Sequence, residues 1–175
     1  MIGNQIWSDA VQASGCGCTQ TFNGGDWQRW RWYRDSFNVD CLANPNHKGD
    51  FFSWEAINQF GDKLCPYPWR VPTAQDFIDL DITMGGTGTR IEREMAQQFV
   101  FDNYINRWGG AFGGHYSSDS LRPPGNWGSY WSQSIHPYGI GGMGVALFFS
   151  IGGWVAPDGS SAKNNGHMVR CVRDN

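Results

Sequence analysis

Charge is scarce in this chain. Only 17% of its 175 residues are Asp, Glu, Lys or Arg, and the net charge is −3. With no basic footprint, nucleic acid and anionic membrane surfaces are excluded as expected partners. No apolar run approaches the ~20 residues of a membrane span, so membrane insertion is not expected. Met1-Ile2-Gly3-Asn4-Gln5 has neither the basic nor the apolar part of a secretion signal. The expectation is a chain made inside the cell, or a segment of a longer one. Sequence marks of several chemistries are missing as well. There is no G-x-S-x-G elbow. Gly85-Gly86-Thr87-Gly88-Thr89 lacks the Lys and the strand-to-helix setting of a phosphate loop, and Gly139-Ile140-Gly141-Gly142-Met143-Gly144 opens no helix of a βαβ unit. His47, His115, His136 and His167 are scattered without metal-ligand spacing. No catalytic residue, metal ligand or cofactor is assigned, and the chain is not expected to be an enzyme.

What is abundant is aromatic bulk and glycine: 10 Trp, 11 Phe, 6 Tyr and 24 Gly. That mixture suits one domain over residues 1–175, with short elements, loops turning at glycine and rings plugging the gaps. Asp26-Trp27-Gln28-Arg29-Trp30-Arg31-Trp32-Tyr33-Arg34 interleaves Trp with Arg. In an acidic chain this reads as an aromatic cover on the core with guanidinium groups stacked on it, rather than a base-stacking platform. The cysteines stand at 16, 18, 41, 65 and 171, an odd number. Cys16-Gly17-Cys18 is not a C-x-x-C pair, and either thiol is a candidate partner for Cys41. Cys65 and Cys171 lie in segments read as extended and buried; they pair, or pack as small hydrophobes.

The architecture turns on Leu64 to Phe77. Pro66 and Pro68 push Cys65 and Tyr67 out of the helical region, which predicts a stiff extended crossing between two helices. The first helix is expected from a cap at Asp50 to about Leu64, with Phe51, Trp54, Ile57, Phe60 and Leu64 inward. The second starts at Thr73, whose pairing with Asp76 resembles a capping box, carries Phe77, Leu80 and Met84 on one stripe, and ends at Gly85-Gly86. Asp76, Asp79 and Asp81 do not share a helical face and are expected to be solvated, apart from the cap. A third helix is expected from Ile91 to about Trp108, with Ile91, Met95, Phe99 and Tyr104 on its stripe. Strands are expected over Gln5–Val11, Gly128–Ser134, Val145–Phe149, Trp154–Ala156 and Met168–Arg173. Helices early and a meander late give an α+β class.

Four blocks carry a resemblance: Cys65-Pro66-Tyr67-Pro68-Trp69-Arg70-Val71-Pro72-Thr73, Trp108-Gly109-Gly110 with Phe112-Gly113-Gly114, Gly128-Ser129-Tyr130-Trp131-Ser132, and Gly166-His167-Met168-Val169-Arg170-Cys171-Val172-Arg173-Asp174. In this order they resemble the Fibrobacter succinogenes major paralogous domain family, over roughly Ile6 to Asp174. The resemblance implies a C-type lectin-like fold of the formylglycine-generating-enzyme variant, with two to three helices, antiparallel sheets and adjacent N- and C-terminal strands. It also implies a ligand-binding module like the variable proteins of diversity-generating retroelements, including phage tail-fibre adhesins. The implied partner is a bacterial surface protein or glycan, the setting a virion tail fibre or the extracellular cell surface, and the assembly a homotrimer. A secreted or cell-surface domain with a glycan-binding or structural role is the alternative. By similarity the variable surface lies within about residues 130–168. Ile135, His136, Tyr138, Ile140, Phe148, Trp154, Ala156, Asp158, Ser160, Asn164 and His167 would face the ligand. The tripeptides of calcium-dependent sugar sites are absent, and nothing marks the cysteine pair of the formylglycine-generating activity.

Overall fold

A computed structural model describes residues 1–12, 41–44, 47, 49–89, 97–117, 120–137 and 142–175. The Trp- and Arg-rich stretch 26–34, Cys16, Cys18, Tyr138 and Ile140 lie outside the described residues.

The class is α+β. Among the described residues the strands and α-helices run β1 Gln5–Ala10, β2 Cys41–Leu42, β3 Phe51–Phe52, α1 Trp54–Leu64, α2 Ala74–Thr83, α3 Gln97–Phe99, β4 His115–Ser117, β5 Ser120–Arg122, β6 Trp127–Ile135, β7 Met143–Ser150, β8 Val155–Ala162 and β9 Arg170–Asp174. The terminal strands are neighbours: β1 pairs antiparallel with β9, from Gln5 opposite Asp174 to Ala10 opposite Arg170. β2 pairs with β3 and β4 with β5, and β6-β7-β8 form a three-stranded meander.

The meander divides the core in two. In the β6–β7 register Trp131 faces Ala146 and Tyr130 faces Leu147. Successive residues of a strand point to opposite faces. Trp131 and Ala146 accordingly join Phe52, Trp54, Ile57, Val71 and Val169 on one side, while Tyr130 and Leu147 join Phe77, Leu80, Tyr104, Trp108 and Phe149 on the other. The middle of the sheet is thus buried on both faces, and exposed positions are left near the strand ends and at Ser160 on β8.

α1 begins at Ser53, not Asp50. The Ser53 side chain accepts from the Ala56 amide, whereas Asp50 takes the Asn44 amide at 3.0 Å, and Phe51 and Phe52 belong to β3. The expected extended crossing is interrupted by a turn. Trp69 N–H donates to the Pro66 carbonyl at 2.9 Å, the Tyr67–Pro68 peptide is cis, and Tyr67 stands 97% exposed. Cys65 and Cys171 form a disulfide, S–S 2.03 Å. Cys41 is also disulfide-bonded.

The Thr73–Asp76 capping box is formed in both directions, and α2 closes into Gly85 at φ +97°, a left-handed position that favours glycine. Of the acidic residues of α2, Asp79 is exposed as expected, while Asp81 overturns the expectation of solvation and the cap Asp76 is buried. Asp76 is 5% exposed and takes both guanidinium nitrogens of Arg70, at 2.5 and 2.9 Å, besides Thr73 and the Gln5 amide. The hydrogen bonds from Arg70 and Thr73 outweigh burial and hold its carboxyl below the usual range. Asp81, 2% exposed, accepts from the Tyr104 hydroxyl and the Gly88 amide.

The third helix differs in kind. Beyond α3 the chain continues as a π-helix, Val100–Arg107, and its wider turn sets Val100, Tyr104 and Trp108 on one buried stripe. Residues 91–96, the expected start of that helix, lie outside the described residues. Arg170 lies under Trp108: its guanidinium is 4.5 Å from the ring centre and donates to the Trp108 and Ser8 carbonyls.

Candidate functional site

The two ends of the meander present different surfaces. At one end β6 starts at Trp127, opposite Ser150. The turn Ile151-Gly152-Gly153 carries the chain into Trp154, with Ser150 N–H donating to the Trp154 carbonyl and Trp154 N–H to the Ser150 hydroxyl. The rings of Trp127 and Trp154 meet edge to face, centroids 5.3 Å apart, and Phe148 lies 6.3 Å beyond Trp154. Trp127 is 37% exposed. Exposed aromatic pairs of this kind supply rigid contact area at low entropic cost.

Beside Trp127 opens a cleft of about 450 Å³ lined by His115, Arg122, Pro123, Asn126 and Trp127. The β4–β5 hairpin builds one wall, pairing His115 with Arg122. The turn Pro123–Asn126 builds the other, tied down by Gly125 N–H to the Phe112 carbonyl and Ile151 N–H to the Asn126 carbonyl. Gly114 lets these walls approach: at φ +78° a Cβ there would sit 2.2 Å from the Arg122 carbonyl oxygen. Burial, and then the Arg122 charge, lower the proton affinity of His115, so it is neutral at pH 7. Its Nδ1 is buried without a partner among the described residues.

Behind the cleft, 5.6 Å from His115 between ring centroids, lies His167. Its ring touches Trp131 and Phe148, and its nitrogens contact Ser129 Oγ at 2.9 Å and Ser161 Oγ at 2.7 Å. Ser129 already donates its hydroxyl hydrogen to the Gly114 carbonyl. His167 Nδ1 therefore carries the proton, and Nε2 accepts from Ser161. A histidine bonded to a serine is half of a nucleophilic arrangement. Here both serines and the ring are buried, at 0%, 6% and 1% exposure, and no described carboxylate orients the ring. The cluster joins β6, β8 and the segment before β9.

The expected ligand-facing residues do not form one patch. Ile135, 57% exposed, and the half-buried His136 and Asn164 lie at the far end of the meander, where β6 meets Gly144 and β8 ends. Trp154 and Phe148, both half-buried, belong to the aromatic end. Six residue-to-residue steps along β7 separate Gly144 from Ser150, roughly 20 Å. Asp158, half-buried, and Ser160, exposed, sit along β8 between the two ends. Ala156 and His167 are corrections: at 0% and 1% exposure neither faces a ligand. Similarity implies an outward Ala156, but its face of β8 is packed against Phe148, its partner across the ladder. Trp127, Arg122, Asn126 and His115 are absent from the sequence expectation. Their signal is the turn Pro123-Pro124-Gly125-Asn126 leading straight into a tryptophan, legible as a turn but not as a wall.

Among the described residues no three His, Cys, Asp or Glu side chains gather as metal ligands, and no helix is long and apolar enough to cross a membrane. No family model, curated protein or solved structure matches the chain.

Proposed function

We propose that this chain is a ligand-recognition module with a C-type lectin-like fold, of the kind that tips phage tail fibres, and that it binds a bacterial surface protein or glycan through the aromatic end of the meander. The observation that carries this reading is the exposed Trp127, braced edge to face by Trp154 at the rim of a cleft, on a scaffold whose own packing does not depend on it. Recognition surfaces place rigid aromatic anchors beside adaptable polar groups. Asn126 and Arg122 supply the latter. A framework stapled by Cys65–Cys171, with both faces of its central sheet packed, tolerates changes at such a rim. The disulfides also suit an oxidising, extracellular setting.

The test is binding of the purified domain to bacterial cells and to an array of glycans, with Trp127→Ala, Trp154→Ala and the double variant. Loss of binding with melting temperature held within a few degrees supports the reading. Undiminished binding by the double variant removes it.

A further inference from the structure

Resting on that reading, we propose that the cleft takes an anionic sugar, a pyranose carrying a carboxylate or a phosphate. Its ring would lie on Trp127 and its charge on Arg122. Three observations converge on this chemistry. First, Arg122 is an exposed guanidinium that forms no ion pair among the described residues, in a chain whose net charge is −3. Three other cations are engaged, Arg70 by Asp76, Lys163 by Glu55, and Arg170 by two carbonyls and Trp108, whereas Lys63, Arg107 and Arg173 share with Arg122 the lack of an ion pair among the described residues but do not line this cleft. A planar guanidinium fork left free on a cleft wall matches carboxylate or phosphate oxygens in pairs.

Second, the same wall carries an exposed indole. Trp127 offers an apolar surface on which a sugar's C–H face can pack, while its orientation is fixed by Trp154. Asn126, next in the chain, adds an amide able to give to one hydroxyl and accept from another. Third, the space is of ligand size. About 450 Å³ fits one or two sugar rings, and falls within the range of small-molecule sites rather than of an extended polypeptide groove. Among the described residues the wall holds no carboxylate to repel an anion. Its remaining polar group is His115, which is neutral and stands opposite Arg122 across the hairpin.

The experiment is calorimetric titration of the intact domain with digalacturonate, its dimethyl ester, mannose 6-phosphate, lactose and a short oligoglutamate. The domain is compared with Arg122→Gln and Arg122→Lys variants of unchanged melting temperature. Expected are binding of digalacturonate or mannose 6-phosphate, and at least about tenfold weakening by esterification or by Arg122→Gln. Partial retention is expected in Arg122→Lys, together with weakening as salt rises from about 50 to about 500 mM. Which of the two acids binds tells carboxylate from phosphate. Ester binding as tight as acid, or an indifferent Arg122→Gln, overturns the anion assignment while cell binding through Trp127 and Trp154 stands. Binding of oligoglutamate but no sugar overturns the sugar class. If no probe binds although cells do, the inference falls alone; if cells are not bound either, the recognition reading falls with it.

Discussion

Tyr104 donates its hydroxyl hydrogen to the Asp81 carboxylate at 2.5 Å, joining the π-helix to α2 inside the core. Tyr104 is fully buried and Asp81 is 2% exposed. The carboxylate also accepts from the Gly88 amide at 2.8 Å, so a single acidic group ties together three segments. Burial first, and the Asp81 charge second, push the phenol well above its ordinary range. Tyr104→Phe should cost about 1.5–3 kcal/mol, the range for hydrogen bonds to charged groups. Asp81→Ala should cost more, because it strands both the hydroxyl and the Gly88 amide. Urea denaturation of both variants checks the order, and equal or reversed costs would contradict it.

The Cys65–Cys171 disulfide joins the end of α1 to β9 across 106 residues of chain. Closing a loop of that length restricts the unfolded chain by an amount worth about 4–5 kcal/mol on the chain-entropy estimate. The Cys65→Ala/Cys171→Ala double variant should unfold at markedly lower denaturant, with the m-value raised as its unfolded chain expands. A double variant within about 1 kcal/mol of the parent would show that packing alone holds this corner.

Acid should loosen the domain through His167. Burial, and secondarily His115, hold its proton affinity well below that of a free imidazole. The folded state thus resists a proton that the unfolded chain accepts below about pH 6.5. The stability is complete above that pH and is lost as pH falls from 6.5 toward the depressed folded value. Each tenfold weakening of proton binding on folding contributes about 1.4 kcal/mol. His115 is shifted the same way and adds to the effect. Protonation would also give Nε2 a hydrogen, so that the buried Ser161 hydroxyl, which also accepts from Asn165, would lose Nε2 as the acceptor of its own hydrogen. Melting temperature should fall between pH 7 and pH 5 (ordinary histidine range), less steeply in His167→Gln. A His167 resonance titrating at or above about 6.5 would refute this.

Positions along β8 should respond oppositely to enlargement. Ala156→Leu forces bulk against Phe148 in a closed interior and should cost roughly 1–3 kcal/mol or more. Ser160→Leu, on an exposed position, should stay within about 0.5 kcal/mol. Similar tolerance at both would mean that β8 is not packed as described.

The capping box at Thr73, the stripe of α2 and all five anticipated strands were legible because each rests on chemistry within a few residues or on simple alternation; the sequence leaves Cys65 and Cys171 open between a disulfide and two packed thiols, since 106 residues separate them. The burial of Asp76 and Asp81 was not. It depends on Arg70 and Gln5 for one and on Tyr104 and Gly88 for the other, partners that helix periodicity does not reveal. The π-helix was hidden for a related reason: Val100, Tyr104 and Trp108 repeat every fourth residue, which reads as an ordinary stripe. The aromatic end was half legible. Trp154 and Phe148 stood out as aromatic positions, while Trp127 and Arg122 became wall residues only when the β4–β5 hairpin folded beside the meander. Ala156 and His167 misled because a likeness between sequence positions does not show that both faces of the sheet are covered at those two residues.

A meander sandwiched between two halves of a core has a practical bearing on directed evolution. A combinatorial library randomised at every second codon of β8 would place much of its diversity in the interior and return misfolded clones. Randomising the chain segments at the strand ends, Arg122 to Trp127 and Ile151 to Trp154, would leave that interior untouched and confine new specificities to the rim.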